Sequence, residues 1–188
     1  MYLLKEDFLL TIDEYLTAEE QSEIKHEYIG GQVYAMSGAS RNHNLIAGNL
    51  FAIVRNHLRG SNCRGFISDM KVKIETQTAD LFYYPDVVVT CNPQDNQKFF
   101  LTDLCLVIEV LSPSTESIDR REKWLEYQNL SSLKEYVLVS QSEMKVEIYR
   151  RDDTGKWSIK NIIDNDYLEL ISIDLTIPMS LIYEDVYN

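Results

Sequence analysis

One carboxylate, Glu109, stands inside the otherwise apolar run Leu106-Val107-Ile108-Glu109-Val110-Leu111. A run of this length, rich in β-branched and aliphatic residues, reads as a strand buried on both faces. A charge placed there costs several kcal/mol unless it is paired or protonated. Glu109 therefore faces water from an edge strand, sits in a buried ion pair, or is held in place for chemistry. Because Glu is seldom fully buried without a reason, the chemical reading is preferred.

A second acid has similar surroundings. Phe82-Tyr83-Tyr84-Pro85-Asp86-Val87-Val88-Val89-Thr90 reads as one strand ending in a β-branched run, with Asp86 at its mouth. Asp86 is either a turn residue after proline or a functional carboxylate. Two carboxylates on neighbouring strands repel unless a cation lies between them, and an oxygen-only pair suits a hard divalent ion such as Mg²⁺, with Mn²⁺ as an alternative. Lys123 lies one helical turn after Asp119 and shares its face. The pair is a solvated ion pair, or Lys123 reaches over the sheet end toward the carboxylates. His43, in the first turn of a helix, either bonds locally or joins the site. Glu27 is either a surface acid or part of the surrounding shell. His26 and His57 have no evident partner.

The rest of the chain supplies a frame for these residues. Thr11-Ile12-Asp13-Glu14 has capping-box spacing and starts a short helix. Gly30-Gly31 between apolar segments predicts a hairpin over 26–36. Ser40 can cap a helix over 41–59, whose Leu45, Ile46, Leu50, Ile53, Val54 and Leu58 recur at helical spacing. Strands are expected at 68–74, 82–90 and 104–111, with Lys71 on the polar face of the first and a loop over 92–98. Ser112-Pro113-Ser114-Thr115 reads as a structural turn into a helix near 116–130, because no nucleophile-elbow motif surrounds either serine. A strand at 135–140 and a hairpin of 145–150 with 157–163 follow. Strands mixed with crossover helices predict an α/β, or mixed α+β, fold with a mixed sheet flanked by helices and an N-terminal β-hairpin extension. The length of 188 residues suits one domain over 1–188.

Composition narrows the partners. The net charge of −12 argues against a protein that simply coats DNA. The acidity is concentrated at the ends, however. Residues 31–75 carry six basic and two acidic side chains, which leaves room for a phosphate-facing surface. No apolar run is long enough to cross a membrane. Three widely spaced cysteines, Cys63, Cys91 and Cys105, form no zinc pattern, and their odd number fits separate thiols in a reducing compartment. With no basic, apolar leader at the N-terminus, a cytoplasmic protein is expected. Phosphate-loop and dinucleotide-binding motifs are absent.

These strings together resemble the Uma family of restriction endonucleases, within the PD-(D/E)XK nuclease superfamily. The match runs through His26-Glu27-Tyr28-Ile29-Gly30-Gly31-Gln32-Val33, Ser37-Gly38-Ala39-Ser40 with His43, Tyr84-Pro85-Asp86-Val87, and Val107-Ile108-Glu109-Val110-Leu111-Ser112-Pro113-Ser114-Thr115. It continues through Asp119, Lys123, Tyr127 and Glu135-Tyr136, and covers roughly residues 10–183. The resemblance implies a restriction-endonuclease-like fold and Mg²⁺-dependent hydrolysis of DNA phosphodiester bonds. It further implies Asp86 and Glu109 as metal ligands, and a homodimer as a common assembly. The superfamily places a lysine two positions after the glutamate, where this chain has Leu111. Lys123 is the candidate replacement, with Lys71 in reserve. His43, Glu27 and Asp119 would support the site. The alternative is a catalytically inactive nuclease fold acting as an interaction or nucleic-acid-binding module.

Overall fold

A computed structural model describes residues 9–113, 115–164 and 166–187. The first helix, α1 (Ile12–Gln21), carries the expected capping box: Glu14 N–H donates to Thr11 Oγ1 and Thr11 N–H donates to Glu14 Oε2. Strands β1 (His26–Ile29) and β2 (Gln32–Ala35) form the expected hairpin. Gly30 and Gly31 both take positive φ, which glycine adopts without steric cost. Ser40 caps α2 (Arg41–His57) by accepting from His43 N–H.

Two larger sheets follow where the sequence suggested one. Strands β3 (Arg64–Ile67), β4 (Lys71–Glu75), β5 (Asp80–Tyr83), β6 (Val87–Thr90), β7 (Phe100–Leu101) and β8 (Leu106–Leu111) are divided between them. The five-stranded sheet runs β2-β1-β5-β4-β7. The six-stranded sheet runs β11-β10-β9-β8-β6-β3, with β9 (Glu135–Ser140), β10 (Lys145–Arg151) and β11 (Trp157–Ile163) completing it. Within the second sheet β8 and β9 are parallel and the other neighbours antiparallel. The small hairpin of β12 (Tyr167–Leu170) and β13 (Leu175–Pro178) leads to a helical turn at Met179–Ile182.

The expected strand over 82–90 is therefore two strands in two sheets, divided at Tyr84-Pro85-Asp86. Pro85 has no N–H to give a ladder, so pairing stops there and the chain crosses from one sheet to the other. The expected strand over 68–74 begins only at Lys71, because Ser68 takes a left-handed conformation and breaks it from β3. Lys71 is buried rather than on a solvated face.

Core packing fixes the sides of the six-stranded sheet. Ile46, Leu50 and Val54 of α2 pack on Val87, Val89, Ile108, Val110 and Val137, with the β12–β13 tail completing that layer. On the opposite side Val88, Val107, Leu111, Tyr136 and Leu138 meet Val72, Ile74, Leu81 and Tyr83 of the five-stranded sheet and Tyr127 of a helical segment spanning 116–127. Strand side chains alternate between faces, so Glu109 shares the side of Val107 and Leu111 and points into the layer between the sheets.

The cysteines depart from expectation. Cys63 and Cys91 are joined in a disulfide and Cys105 is a buried free thiol. The β3–β6 register pairs Arg64 with Thr90, which brings the flanking Cys63 and Cys91 face to face. A long-range strand pairing of this kind is not readable from spacing, and it removes the cysteine-count argument for a reducing compartment. Among the described residues no helix is long and apolar enough to cross a membrane.

Candidate active site

Strand register creates the site. β6 and β8 are antiparallel with Val87 opposite Ile108, so Asp86 and Glu109 fall directly opposite one another. Asp86 N–H donates to Glu109 Oε2 at 3.4 Å, and Val110 N–H donates to Asp86 Oδ2 at 2.8 Å. Glu109 is 4% exposed in a central strand, which removes the edge-strand reading.

Lys123 does reach this point. The segment 116–127 is α-helical at Glu116–Ile118 and Trp124–Tyr127 and π-helical at Asp119–Lys123. π-turns inside helices are frequent at functional sites, and this one turns both Asp119 and Lys123 inward. The carbonyl of Asp119 accepts from the Tyr136 hydroxyl at 3.1 Å, which ties the turn to β9. Lys123 Nζ then lies 2.9 Å from Glu27 Oε1, 3.3 Å from Asp119 Oδ1 and 3.5 Å from Glu109 Oε1. It also lies over the Tyr83 ring. The solvated ion pair is thus replaced by a buried cation among three acids. Ser112-Pro113 forms the turn into this helix: Glu116 N–H donates to the Ser112 carbonyl and Thr115 N–H donates to Ser112 Oγ. Ser114, part of that expected turn, lies outside the described residues.

His43 comes from the N-terminal turn of α2. Its Nε2 is 3.2 Å from Asp86 Oδ2, so it joins the site as well as following its cap. Glu27, on β1 opposite Tyr34, enters from the other sheet. Lys71 is not brought in. Its ammonium donates to the Tyr84 hydroxyl at 3.2 Å, and Tyr84 in turn donates to Glu19, a separate network beside α1. His26 has Glu19 as its partner and His57 has the Ile173 carbonyl, so both are structural.

Burial sets the electrostatics. It raises the Glu109 carboxyl well above the ordinary carboxylate range. The Lys123 charge opposes this shift, while Asp119, Asp86 and Glu27 reinforce it. Asp119 is raised for the same first reason, burial, with Lys123 opposing. Lys123 would be lowered by burial, but Glu109, Glu27 and Asp119 outweigh that and raise it well above its usual value. His43 is likewise raised: burial works against it, and the Asp86 hydrogen bond and charge prevail.

Four carboxylates thus face one lysine and one histidine. Among the described residues the Tyr127 hydroxyl, fully buried near Glu109 and Glu27, has no hydrogen-bond partner. Excess negative charge, all-oxygen donors and an unpartnered hydroxyl fit a hard divalent cation in donor type. As the side chains stand, no three His, Cys, Asp or Glu groups among the described residues are arranged to hold an ion, and Lys123 lies against three of the acids.

Tyr83, Tyr127 and Tyr136 line the site, and sequence reasoning gave them no role. Tyr127 follows Lys123 by one helical turn, so its side of the helix was legible; the contribution of Tyr83 from the second sheet was not.

The profile of the Uma2 family, described as "Putative restriction endonuclease", matches residues 12–182. The chain belongs to the Uma2 family. Two Synechocystis proteins (strain ATCC 27184 / PCC 6803 / Kazusa), both described as uncharacterized, are similar to it. One is 44% identical over 176 residues, covering 93% of this chain and 91% of the relative. The other is 32% identical over 158 residues, covering 82% and 88%. A crystal structure of a putative nuclease belonging to DUF820 from Anabaena variabilis superposes with a TM-score of 0.76. It covers 94% of this chain and 99% of that one at 17% identity, a likeness of fold. This Uma2 chain therefore has the restriction-endonuclease-like architecture that its motifs implied.

Proposed function

We propose that this Uma2 protein is a metal-dependent endonuclease that hydrolyses DNA phosphodiester bonds. The observation that carries the reading is the placement of Asp86 directly opposite Glu109, with Lys123 between Glu109, Glu27 and Asp119. Asp86 and Glu109 would hold Mg²⁺ or Mn²⁺. When bound, such an ion supplies positive charge at phosphate and makes a water more acidic. The protein's own groups position these parts. The Val110 N–H and His43 fix the Asp86 carboxylate through one oxygen, leaving its second oxygen for the cation. Glu27 and Asp119 hold the Lys123 ammonium beside Glu109, where it replaces the charge that Leu111 cannot give. A transition state that gathers negative charge on phosphate oxygens gains from a fixed ammonium there. The same reading takes the cytoplasm as compartment, one domain over 1–188, and a homodimer as the working assembly.

A second reading, a nuclease fold kept for binding alone, is favoured by one observation. Leu111, at the superfamily's lysine position, is packed in the apolar core with Val107 and Leu138. The two readings separate in a cleavage assay on plasmid and single-stranded DNA with Mg²⁺ or Mn²⁺. The nuclease reading expects the parent to cut, Asp86→Ala to fall to background, and Lys123→Ala to lose roughly 10²–10³-fold. A parent that binds DNA but never cuts with either metal overturns it in favour of the binding module. A normal rate for Lys123→Ala removes Lys123 from the mechanism.

A further inference from the structure

Away from the acid site, the three cysteines form a contact cluster. Cys63 and Cys91 are joined across the end of the β3–β6 ladder. Cys105, just before β8, keeps a buried thiol whose Sγ lies 3.4 Å from Cys91 Sγ. Exchange between a thiol and a disulfide requires contact between the attacking sulfur and one sulfur of the bond. We propose that Cys63, Cys91 and Cys105 form a thiol–disulfide exchange centre in which Cys105 attacks Cys91 and shifts the cross-link from β3–β6 to β6–β8.

The step balances within the chain. The Cys105 thiol gives its proton to water, and its sulfur bonds to Cys91 Sγ. The Cys63–Cys91 bond breaks, and Cys63 departs as a thiolate that takes up a proton. No oxidant or reductant is consumed, because one disulfide and one thiol become another disulfide and another thiol. The released thiol is better exposed than the one that attacked: Cys63 is half-buried, Cys105 buried. The exchange therefore turns an inaccessible thiol into one that a small-molecule thiol or alkylating reagent can reach.

The surroundings of Cys105 set the speed. Burial pushes its thiol up to about 12; a backbone hydrogen bond and Lys134 oppose the shift, and Glu135 and Asp103 add to it. The thiolate is the attacking form, so exchange is slow near neutral pH and quickens about tenfold per pH unit below that value. The structural consequence falls on β3, the edge strand of its sheet. At the far end of β3, Ser68 N–H donates to the Asp86 carbonyl at 3.0 Å. With the link moved, β3 is held beside Asp86 by hydrogen bonds and packing alone.

The test treats the intact chain with oxidised glutathione, removes the reagent, and adds excess maleimide at pH 7, 8 and 9. Non-reducing peptide mapping by mass spectrometry then locates the label and the disulfide. The proposal expects label at Cys63, a new Cys91–Cys105 disulfide, a rate rising about tenfold per pH unit, and no Cys63 label in Cys105→Ser. It is overturned by label confined to Cys105 with Cys63–Cys91 intact, by equal Cys63 labelling in Cys105→Ser, by no labelling at pH 9, or by three free thiols after oxidation. Cys63→Ser gives an independent check. Oxidised glutathione should close Cys91–Cys105 in that variant, and recovery of glutathione adducts alone would count against the centre.

Discussion

Two buried glutamates on adjacent parallel strands, Glu109 on β8 and Glu135 on β9, have opposite surroundings. Glu135 is 1% exposed and its oxygens are well supplied: Oε1 accepts from Arg150 Nε at 2.9 Å and Ile171 N–H at 3.1 Å, while Oε2 accepts from Ser172 N–H at 2.8 Å and from the Ser172 hydroxyl. Glu109 is almost as deeply buried, yet its contacts to Asp86 N–H, 3.4 Å, and Lys123 Nζ, 3.5 Å, are long, and three other acids lie nearby. Burial alone therefore does not set the character of a carboxylate. The difference is how completely donors satisfy it. Glu135 fastens the segment after β12 to the start of β9, whereas Glu109 lies among other acids with long contacts, and in the function proposed above it is a ligand for a divalent cation.

The largest expected effect lies on the satisfied side. Glu135→Ala leaves Arg150 and two backbone N–H groups without their acceptor, and should destabilise the fold by about 3–5 kcal/mol in urea unfolding. A loss under 1 kcal/mol would erase the contrast between the two glutamates. The effect at Glu109 should be smaller and of opposite sign. Its folded carboxyl is raised by burial, so the protonated form favours folding, and the parent loses stability as pH rises from the unfolded value of about 4.3. Glu109→Gln keeps the shape without the charge. Measured without divalent cation, it should match the parent near pH 4 and be more stable by roughly 1 kcal/mol at pH 8, while losing DNA cleavage. A Gln variant less stable than the parent across that range would show that Glu109 is needed structurally. The smallest effect concerns His43. Its raised folded value means that the His43–Asp86 pair adds stability below about pH 6.5 and loses it as pH rises through the folded value. His43→Gln should cost about 0.5–1 kcal/mol at pH 5.5 and converge with the parent at higher pH. Parallel pH profiles would show that the pair contributes no proton-linked stability.

Local chemistry made much of this molecule legible from its sequence. The capping box at Thr11, the Gly30-Gly31 turn and the Ser40 cap rest on interactions within a few residues, and these, like the apolar β9 strand, formed where the pattern placed them. The isolation of Glu109 in an apolar run already implied a buried charge, and the four-residue spacing of Asp119 and Lys123 already put them on one helix face. What the sequence could not decide was which distant segments meet. The break at Pro85, the arrival of Glu27 from the second sheet, the Cys63–Cys91 pairing, and the assignment of Lys123 rather than Lys71 to the acids all depend on strand partners far apart in the chain. Hydrophobic alternation specifies which side of a strand is buried but not against what, and the choice of partner is made by packing the two sheets together. The same packing gathers Glu27, Glu109 and Asp119 around Lys123 with Asp86 directly opposite Glu109, and only in that enclosure do residues far apart in the sequence form one charged cluster.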